Sequence, residues 1–212
     1  MYLAHPSKRL NRTFQEKPYQ GASPFSARFL FVGLDANYAE NVEAEPIFPR
    51  LLEYHEDGPA FWRKRGVHHP FLLPEYSGSG KRYHRNFARI GFGPEHADEV
   101  SFIEVLHVPT TGISSLTVSD LDPDHLRLPS DVFLNGSARH IFVSDKVARL
   151  LRSTRKFRWL SSTPTSAANG LVTYFRSDEK AVYKHLHFSN YGKFKERLDE
   201  EAALIRKMIL DD

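Results

Sequence analysis

Short apolar runs of strand length recur along the chain, separated by longer polar or mixed segments. Residues 27–34 form a continuous apolar run, which predicts a strand buried on both faces of a sheet, and residues 100–106, 140–144 and 181–187 predict three further strands. Two weaker runs predict short additional strands at residues 157–160 and 171–175. The chain therefore contains enough strands for a sheet of four or more.

Helical signals lie between these runs. Apolar residues at helical spacing predict helices near residues 83–90 and 129–138. Ser144 is placed to cap a third helix that continues through Leu151. Residues 194–210 predict an amphipathic packing helix, with Leu198, Ala202, Ile205 and Ile209 on its apolar face.

Strands that alternate with helices indicate an α/β fold. We expect a three-layer α/β/α sandwich around a central, four-stranded, mostly parallel sheet. Residues 1–24 lack periodicity and predict an irregular N-terminal arm, whereas residues 25–212 predict a single domain. A chain of 212 residues is long enough for one such domain with a substantial core.

Composition excludes several classes of protein. The chain has no cysteine, which excludes disulfides, iron–sulfur clusters and thiol nucleophiles and leaves zinc only histidine and carboxylate ligands. No apolar run approaches the roughly 20 residues that cross a bilayer, and the start lacks the apolar core of a signal peptide. We therefore expect a cytoplasmic protein without membrane contacts.

The basic residues are clustered, although the net charge is only +3. Residues 61–89 carry seven Lys or Arg against one acid, Glu75, with aromatic residues interleaved. A second basic and aromatic cluster spans residues 152–159. This pattern suits a phosphate backbone with bases to stack on, and the alternative is a solvated charged face whose aromatic residues point into the core.

Two polar side chains follow the first and the last predicted strands. Asp35 comes just after Gly33, which permits a tight turn, and His187 ends the last apolar run. Because ligands bind at the carboxyl ends of strands in open α/β sheets, we expect both side chains in one crevice.

Each of these side chains has an alternative interpretation. Asp35 is suited to positioning a water or offsetting positive charge on a reacting carbon, and also to capping a helix near Tyr38. His187 is either a functional imidazole or a core histidine. With His185 it is also one of two potential metal ligands, but no third ligand has a recognisable spacing, and we predict no metal site.

An ordered set of segments resembles the uracil-DNA glycosylase superfamily. Residues 33–38, Gly-Leu-Asp-Ala-Asn-Tyr, resemble the family motif GQDPYH, and residues 187–191, His-Phe-Ser-Asn-Tyr, resemble HPSPLS. Residues 80–90 are similar to the PPSLRNIYKEL-like segment of the family. Residues 101–106 fall where a family strand carries a base-reading Asn, and residues 140–144 fit the next strand.

The resemblance implies a monofunctional hydrolase that cleaves the N-glycosidic bond of a damaged or deaminated base flipped out of DNA. By position, Asp35 would position the water and His187 would donate a hydrogen bond to the departing base. The resemblance implies a base site with Phe71, or less favourably Phe48, stacking on the base; its other members would be Gly33, Leu34, Asn37 and Glu104. The DNA contacts that it implies are Ser189, Asn190, Tyr191, Arg82, Arg85 and Asn86. No cofactor is implied.

Departures from the family pattern point to a different base. Asn37 stands where the family has a bulky Tyr that blocks a 5-methyl group, so the pocket is expected to be more permissive. Glu104 falls near the base-reading Asn, and an ionised carboxylate accepts hydrogen bonds but donates none. Such a group would repel a carbonyl oxygen of uracil, which predicts a preference other than simple uracil. A shift of register would instead place His107 there.

Two other classes of function remain open. One is a nucleic-acid-binding protein that keeps the fold without excision, and the other is a hydrolase of small nucleosides or nucleotides. The expected partner of the leading hypothesis is DNA, either a duplex with a lesion or a single strand, bound by a monomer. Turnover and salt-dependent DNA binding separate the three classes.

Overall fold

The computed structural model describes residues 1–112, 114–166 and 170–210, and the chain has an α/β fold. Residues 211–212 of the predicted domain 25–212 lie outside the described residues, as do residues 113 and 167–169. The strands are β1 Leu3–Ala4, β2 Gln20–Gly21, β3 Phe29–Gly33, β4 Val100–Glu104, β5 Thr110–Thr111, β6 His140–Val143, β7 Thr165–Ser166, β8 Val172–Arg176 and β9 Ala181–Lys184. The α-helices are α1 Lys8–Glu16, α2 Phe48–Glu56, α3 Gly58–Arg65, α4 Lys81–Ala88, α5 Arg127–Asn135, α6 Asp145–Arg152 and α7 Lys195–Leu210.

Within the described residues, seven strands form a mixed sheet in the order β2-β4-β3-β6-β9-β8-β7. Strands β4, β3, β6 and β9 pair in parallel. The sheet is therefore mixed and larger than the four strands expected, because β2 pairs antiparallel with β4 and β8 pairs antiparallel with both β9 and β7. β1 and β5 form a separate antiparallel pair.

The central strand β3 shows why the apolar runs form strands. Successive side chains of a strand point to opposite faces, and every residue of β3 before Gly33 is buried. Leu30 and Val32 belong to one apolar cluster, whereas Phe29 and Phe31 belong to another. A strand covered by apolar residues on both faces needs a continuous apolar run rather than an alternating one.

The predicted helix signals are largely confirmed. The Ser144 hydroxyl accepts a hydrogen bond from the Val147 amide and caps α6. In α7 the buried residues are Leu198, Ala202, Ile205 and Met208. Met208 is buried at the end of this face, and the predicted Ile209 is only partly buried.

Two sequence predictions of local structure are wrong. Residues 1–24 are not an irregular arm, because α1 forms within them, is capped by Ser7 and buries Leu10 and Phe14. The apolar face of α1 has only two large residues, and the basic residues on its exposed side made the helical pattern hard to recognise in the sequence. Residues 157–160 form turns rather than a strand, although both Phe157 and Leu160 are buried in the core. No helix in the described parts of the chain is long and apolar enough to cross a membrane.

Candidate active site

A cavity of about 820 Å³, here called the main cavity, opens at the carboxyl ends of the parallel strands. Asp35, Glu104 and His187 all line it, although they come from distant parts of the sequence. The other predicted site residues that line it are Gly33, Leu34, Asn37, Phe71, Arg82 and Ser189. The structure therefore brings together most of the residues that the sequence selected.

Asp35 is held by hydroxyl groups from the segment that follows β4. Its Oδ2 accepts hydrogen bonds from Thr110 Oγ1 and from Ser114 Oγ, the latter at 2.7 Å. Asn37 Nδ2 donates to Thr110 Oγ1 at 3.0 Å and to the Gly112 carbonyl at 2.8 Å. No hydrogen bond to Asp35 Oδ1 is seen within the described residues, and Asp35 lines the main cavity.

Backbone pairing joins the same two segments. The Thr110 amide donates to the Ala36 carbonyl at 2.9 Å, and the Tyr38 amide donates to the Thr110 carbonyl at 3.0 Å. Thr110 is completely buried. Asp35 does not cap a helix, because the first helical turn after it is the 3₁₀ turn Val42–Ala44. The capping interpretation of Asp35 is therefore wrong.

His187 lies in the segment after β9, where its Nδ1 is placed to accept hydrogen bonds from Ser189. The Ser189 amide donates to its Nδ1 at 3.3 Å, and Ser189 Oγ lies 2.6 Å from the same atom. Because Nδ1 accepts, the ring proton is on Nε2, which is a donor. Burial lowers the pKa of His187, and the charge of Asp35 acts in the opposite direction.

Glu104 lies at the end of β4, directly opposite Gly33 in the parallel register. A Cβ added to Gly33 would lie 2.0 Å from Glu104 Oε2, so this glycine leaves room for the carboxyl group. Gly33 does not have a positive φ, and the expectation of a tight turn is wrong. Close approach of a neighbouring side chain is the reason for a glycine here.

The surroundings of Glu104 disfavour the ionised carboxylate that the sequence analysis assumed. Its Oε2 is shielded from solvent and has no hydrogen-bond partner among the described residues. Burial, together with the nearby charge of Asp35, raises the pKa of Glu104 well above its usual value. The protonated acid is therefore favoured, and it offers one donor and one acceptor rather than two acceptors.

Aromatic and histidine side chains line one wall of the main cavity. Phe71 is stacked on Tyr76, with ring centroids 3.9 Å apart, so one face of Phe71 is already covered. His69 and His84 stack at 3.6 Å, and burial lowers the pKa of both well below the usual value. Phe48 packs in a neighbouring apolar cluster and does not line the cavity, which removes it as the alternative stacking residue.

A second cavity of about 710 Å³, here called the basic groove, adjoins the main cavity. Both are lined by Tyr76, Ser77, Gly78, Ser79 and Arg82. The groove also carries further cationic and polar side chains: Lys81, Arg85, Asn86, Arg89, Asn190, Tyr191 and Lys195. The Arg82 guanidinium lies over the Tyr191 ring, 4.3 Å from its centroid.

Asn86 has a different role from the predicted DNA contact. It is buried, and its Nδ2 donates to the carbonyls of Phe188 at 2.6 Å and Asn190 at 3.1 Å. Asn190 Nδ2 donates in turn to the His187 carbonyl at 2.8 Å. These two side-chain amides hold the turn that carries His187, so they support the position of His187 without lining the main cavity.

Three further sequence alternatives are resolved by position. His185 is buried against Phe31, Phe142 and Phe188 and does not line the main cavity, so it is a core histidine. His107 does not line the cavity either, whereas Glu104 does. Residues 152–159 line neither cavity, and their aromatic side chains pack on the core. In the described parts of the chain, no three His, Asp or Glu side chains are grouped to hold a metal ion.

Sequence reasoning missed Thr110, Ser114, His69 and His84. Thr110 and Ser114 follow β4, and the carboxyl ends of neighbouring parallel strands meet at one edge of a sheet. Their place in the sequence after a strand could therefore have predicted that they lie beside Asp35. His69 and His84 had none, because they come from a loop and from α4 and meet only through packing. No protein-family model and no curated protein sequence matches the chain.

Proposed function

We propose that the chain is a DNA glycosylase-like hydrolase that removes a damaged or deaminated base flipped out of DNA. The observation that carries the proposal is that Asp35, His187 and Glu104 line one cavity, which continues into a groove rich in Lys and Arg. Extrusion of the base is required because the glycosidic carbon is inaccessible inside the base stack.

The reaction assigns different tasks to Asp35 and His187. Asp35 Oδ1 orients a water toward C1′ of the sugar, and its negative charge stabilises the positive charge that develops there. The bond between C1′ and the base nitrogen breaks, and the electron pair leaves with the base. His187 Nε2–H donates a hydrogen bond to an oxygen of the departing base anion. The water adds its hydroxyl to C1′, and its remaining proton ends on the base.

Glu104 is the proposed reader of the base edge. As a neutral acid it donates one hydrogen bond and accepts another, which suits a ring N–H beside a carbonyl. The argument that it repels uracil no longer holds, because that argument required an ionised carboxylate. The proposed preference for a base other than simple uracil therefore depends on the room available in the cavity. The Asn37 side chain is hydrogen-bonded to Thr110 and Gly112, and the cavity is larger than one pyrimidine.

The basic groove is the proposed path of the phosphate backbone. Arg82 lines both cavities and stands where the backbone would pass from the groove to the flipped nucleotide. Tyr191 is 68 % exposed beside it and is available to stack on a base next to the vacated position. Salt dependence follows from such contacts, because each neutralised phosphate releases counterions.

We also propose the three-layer α/β/α arrangement for the core that presents this site. Two apolar clusters support it, because alternate residues of β3 enter one or the other. Helices α5 and α6 contribute to the first cluster, and α3, α4 and α7 contribute to the second. Such a frame would hold the strand ends rigidly at the cavity.

The proposal is tested with DNA duplexes and single strands that each carry one damaged or deaminated base. We expect release of at least one base by the wild-type chain, loss of release in Asp35→Asn, and nearly unchanged DNA affinity in that variant. Asp124→Asn is the matched control, because its side chain is 80 % exposed and lies away from the cavity.

Other outcomes select the remaining classes. Binding to DNA without release of any base would reject excision and leave a nucleic-acid-binding protein of the same fold. Cleavage of free nucleosides without salt-dependent DNA binding would instead indicate a small-molecule hydrolase. For the proposed enzyme, Arg82→Gln is expected to reduce the slope of log affinity against log salt by about one.

A further inference from the structure

The N-terminal segment is attached to the two segments that hold Asp35. β1 pairs with β5, with Leu3 opposite Thr111 and Ala4 opposite Thr110. Thr110 is the residue whose hydroxyl donates to Asp35 Oδ2. Residues 3–4 therefore pair with β5, the strand that contains the Thr110 hydroxyl bound to the Asp35 carboxylate.

His5 links both segments at once. Its backbone amide donates to the Pro109 carbonyl at 2.9 Å, next to Thr110. The Ser7 amide donates to His5 Nδ1 at 3.1 Å, so the ring proton is on Nε2, which donates to the Ala39 carbonyl at 2.9 Å. Ala39 lies four residues after Asp35, on the other segment.

The His5 side chain is 2 % exposed, and its ring meets Tyr38 edge to face at 6.3 Å. The Asn11 side chain donates to the His5 carbonyl at 2.7 Å, which ties His5 to α1. His5 does not line the main cavity. Its contacts with the site therefore run through the backbone of the segments that carry Asp35 and Thr110.

We infer that His5 and Thr110 form one positioning unit that sets the orientation of the Asp35 carboxylate. The inference rests on the proposed function for its effect on catalysis, but the orientation itself is a property of the free protein. Helix α1 anchors His5, His5 joins the two segments, and the Thr110 hydroxyl, together with that of Ser114, holds Oδ2 of Asp35, which lines the main cavity. A displacement of about 1 Å of a catalytic group lowers turnover by about 100-fold.

The first test compares His5→Leu with His5→Gln, which keeps a donor that reaches the Ala39 carbonyl. His5→Leu is expected to lower kcat by about 10- to 100-fold with little change in KM, and His5→Gln to recover part of the loss. His55→Leu is the matched control, because His55 is 3 % exposed and its Nε2 also contacts a backbone carbonyl, that of Lys17, away from the cavity. Equal kcat in His5→Leu and His55→Leu at equal loss of thermal stability would overturn the inference.

A second pair of variants decides the matter if His5→Leu does not fold. Thr110→Val removes the hydroxyl at constant shape, and Thr110→Ser keeps it. We expect a large loss of kcat in the first and retention in the second. Thr173→Val is the control, because this buried hydroxyl donates to the Thr165 carbonyl in a distant part of the sheet.

A spectroscopic readout separates this inference from the proposed function. The ¹³Cγ resonance of Asp35, assigned through Asp35→Asn, reports the hydrogen bonds of the carboxylate without any substrate. It is expected to shift in Thr110→Val and His5→Leu and to stay unchanged in Thr173→Val and His55→Leu. If wild-type protein releases no base, the proposed function fails alone; if the resonance does not move, the positioning inference fails whatever the turnover.

Discussion

Replacement of Glu104 by Gln is expected to make the protein more stable, and increasingly so as the pH rises. Glu104 Oε2 is shielded from solvent and has no hydrogen-bond partner in the described parts of the chain, and burial raises the pKa of this carboxyl group. In the unfolded chain the same group ionises at its ordinary pKa of about 4.3. Glutamine has nearly the same shape and no proton to lose.

The sign of the effect follows from the direction of the shift. Because the pKa of Glu104 is raised in the folded protein, its contribution to stability is fully present below the unfolded pKa. That contribution is lost as the pH rises toward the folded pKa. Over this interval the folded chain holds one proton that the unfolded chain has released, so the wild type loses about 1.4 kcal/mol per pH unit relative to Glu104→Gln.

Urea unfolding of both proteins at several pH values between 5 and 8 measures this difference. The buried histidines contribute equally to both proteins and cancel, because the substitution is compared at each pH. Glu75→Gln is the control, since it makes the same carboxyl-to-amide change at a residue that lines the same cavity but is exposed. A flat difference for Glu104→Gln would refute the conclusion that this carboxyl group is kept protonated by burial.

Three further results are expected. Gly33→Ala should lower the excision rate by about 100-fold without unfolding the protein, because its Cβ would lie 2.0 Å from Glu104 Oε2 and displace that carboxyl group. The rate is measured with the base that the wild type releases, and an unchanged rate would contradict this expectation. In a plot of the excision rate against pH, the midpoint of the acid limb is expected below pH 6.5, because burial lowers the pKa of His187 and so extends the neutral ring to lower pH. A midpoint above pH 6.5 would count against a neutral donor. Ser144→Ala should cost about 1 kcal/mol in urea unfolding by removal of the α6 cap, and Ser144→Asp, which keeps a side-chain acceptor, should not.

Local patterns were sufficient for much of the fold. The continuous apolar run of β3 predicted burial on both faces, and Ser144 was predicted to cap α6. Both features could be recognised in the sequence because each depends only on neighbouring residues. Helix α1 escaped detection because only Leu10 and Phe14 form its buried face. Residues 157–160 were assigned to a strand because local apolarity does not distinguish a buried strand from a buried turn.

Strand order predicted the part of the candidate site that lies at strand ends, whereas Phe71 and Arg82 were selected through the family resemblance. Asp35 and His187 follow parallel strands, whose carboxyl ends share one edge, and this geometry predicted that they meet. The supports of these residues were not readable. Thr110 and His5 reach Asp35 through pairing between segments about 75 and 105 residues apart, which no local pattern encodes.

The amino-acid sequence by itself predicted the four parallel strands and the helices α4 to α7, because these depend on the spacing of neighbouring side chains. It also predicted that Asp35 and His187 would lie in one crevice. Only the tertiary structure showed the burial that disfavours ionisation of Glu104 and the close approach of that carboxyl group to Gly33. Both follow from the parallel pairing of β3 with β4, which places the Glu104 carboxyl group against Gly33 and away from water. Burial and close approach are properties of the packed chain, and they changed the proposed reading of the base from a charged acceptor to a neutral donor and acceptor.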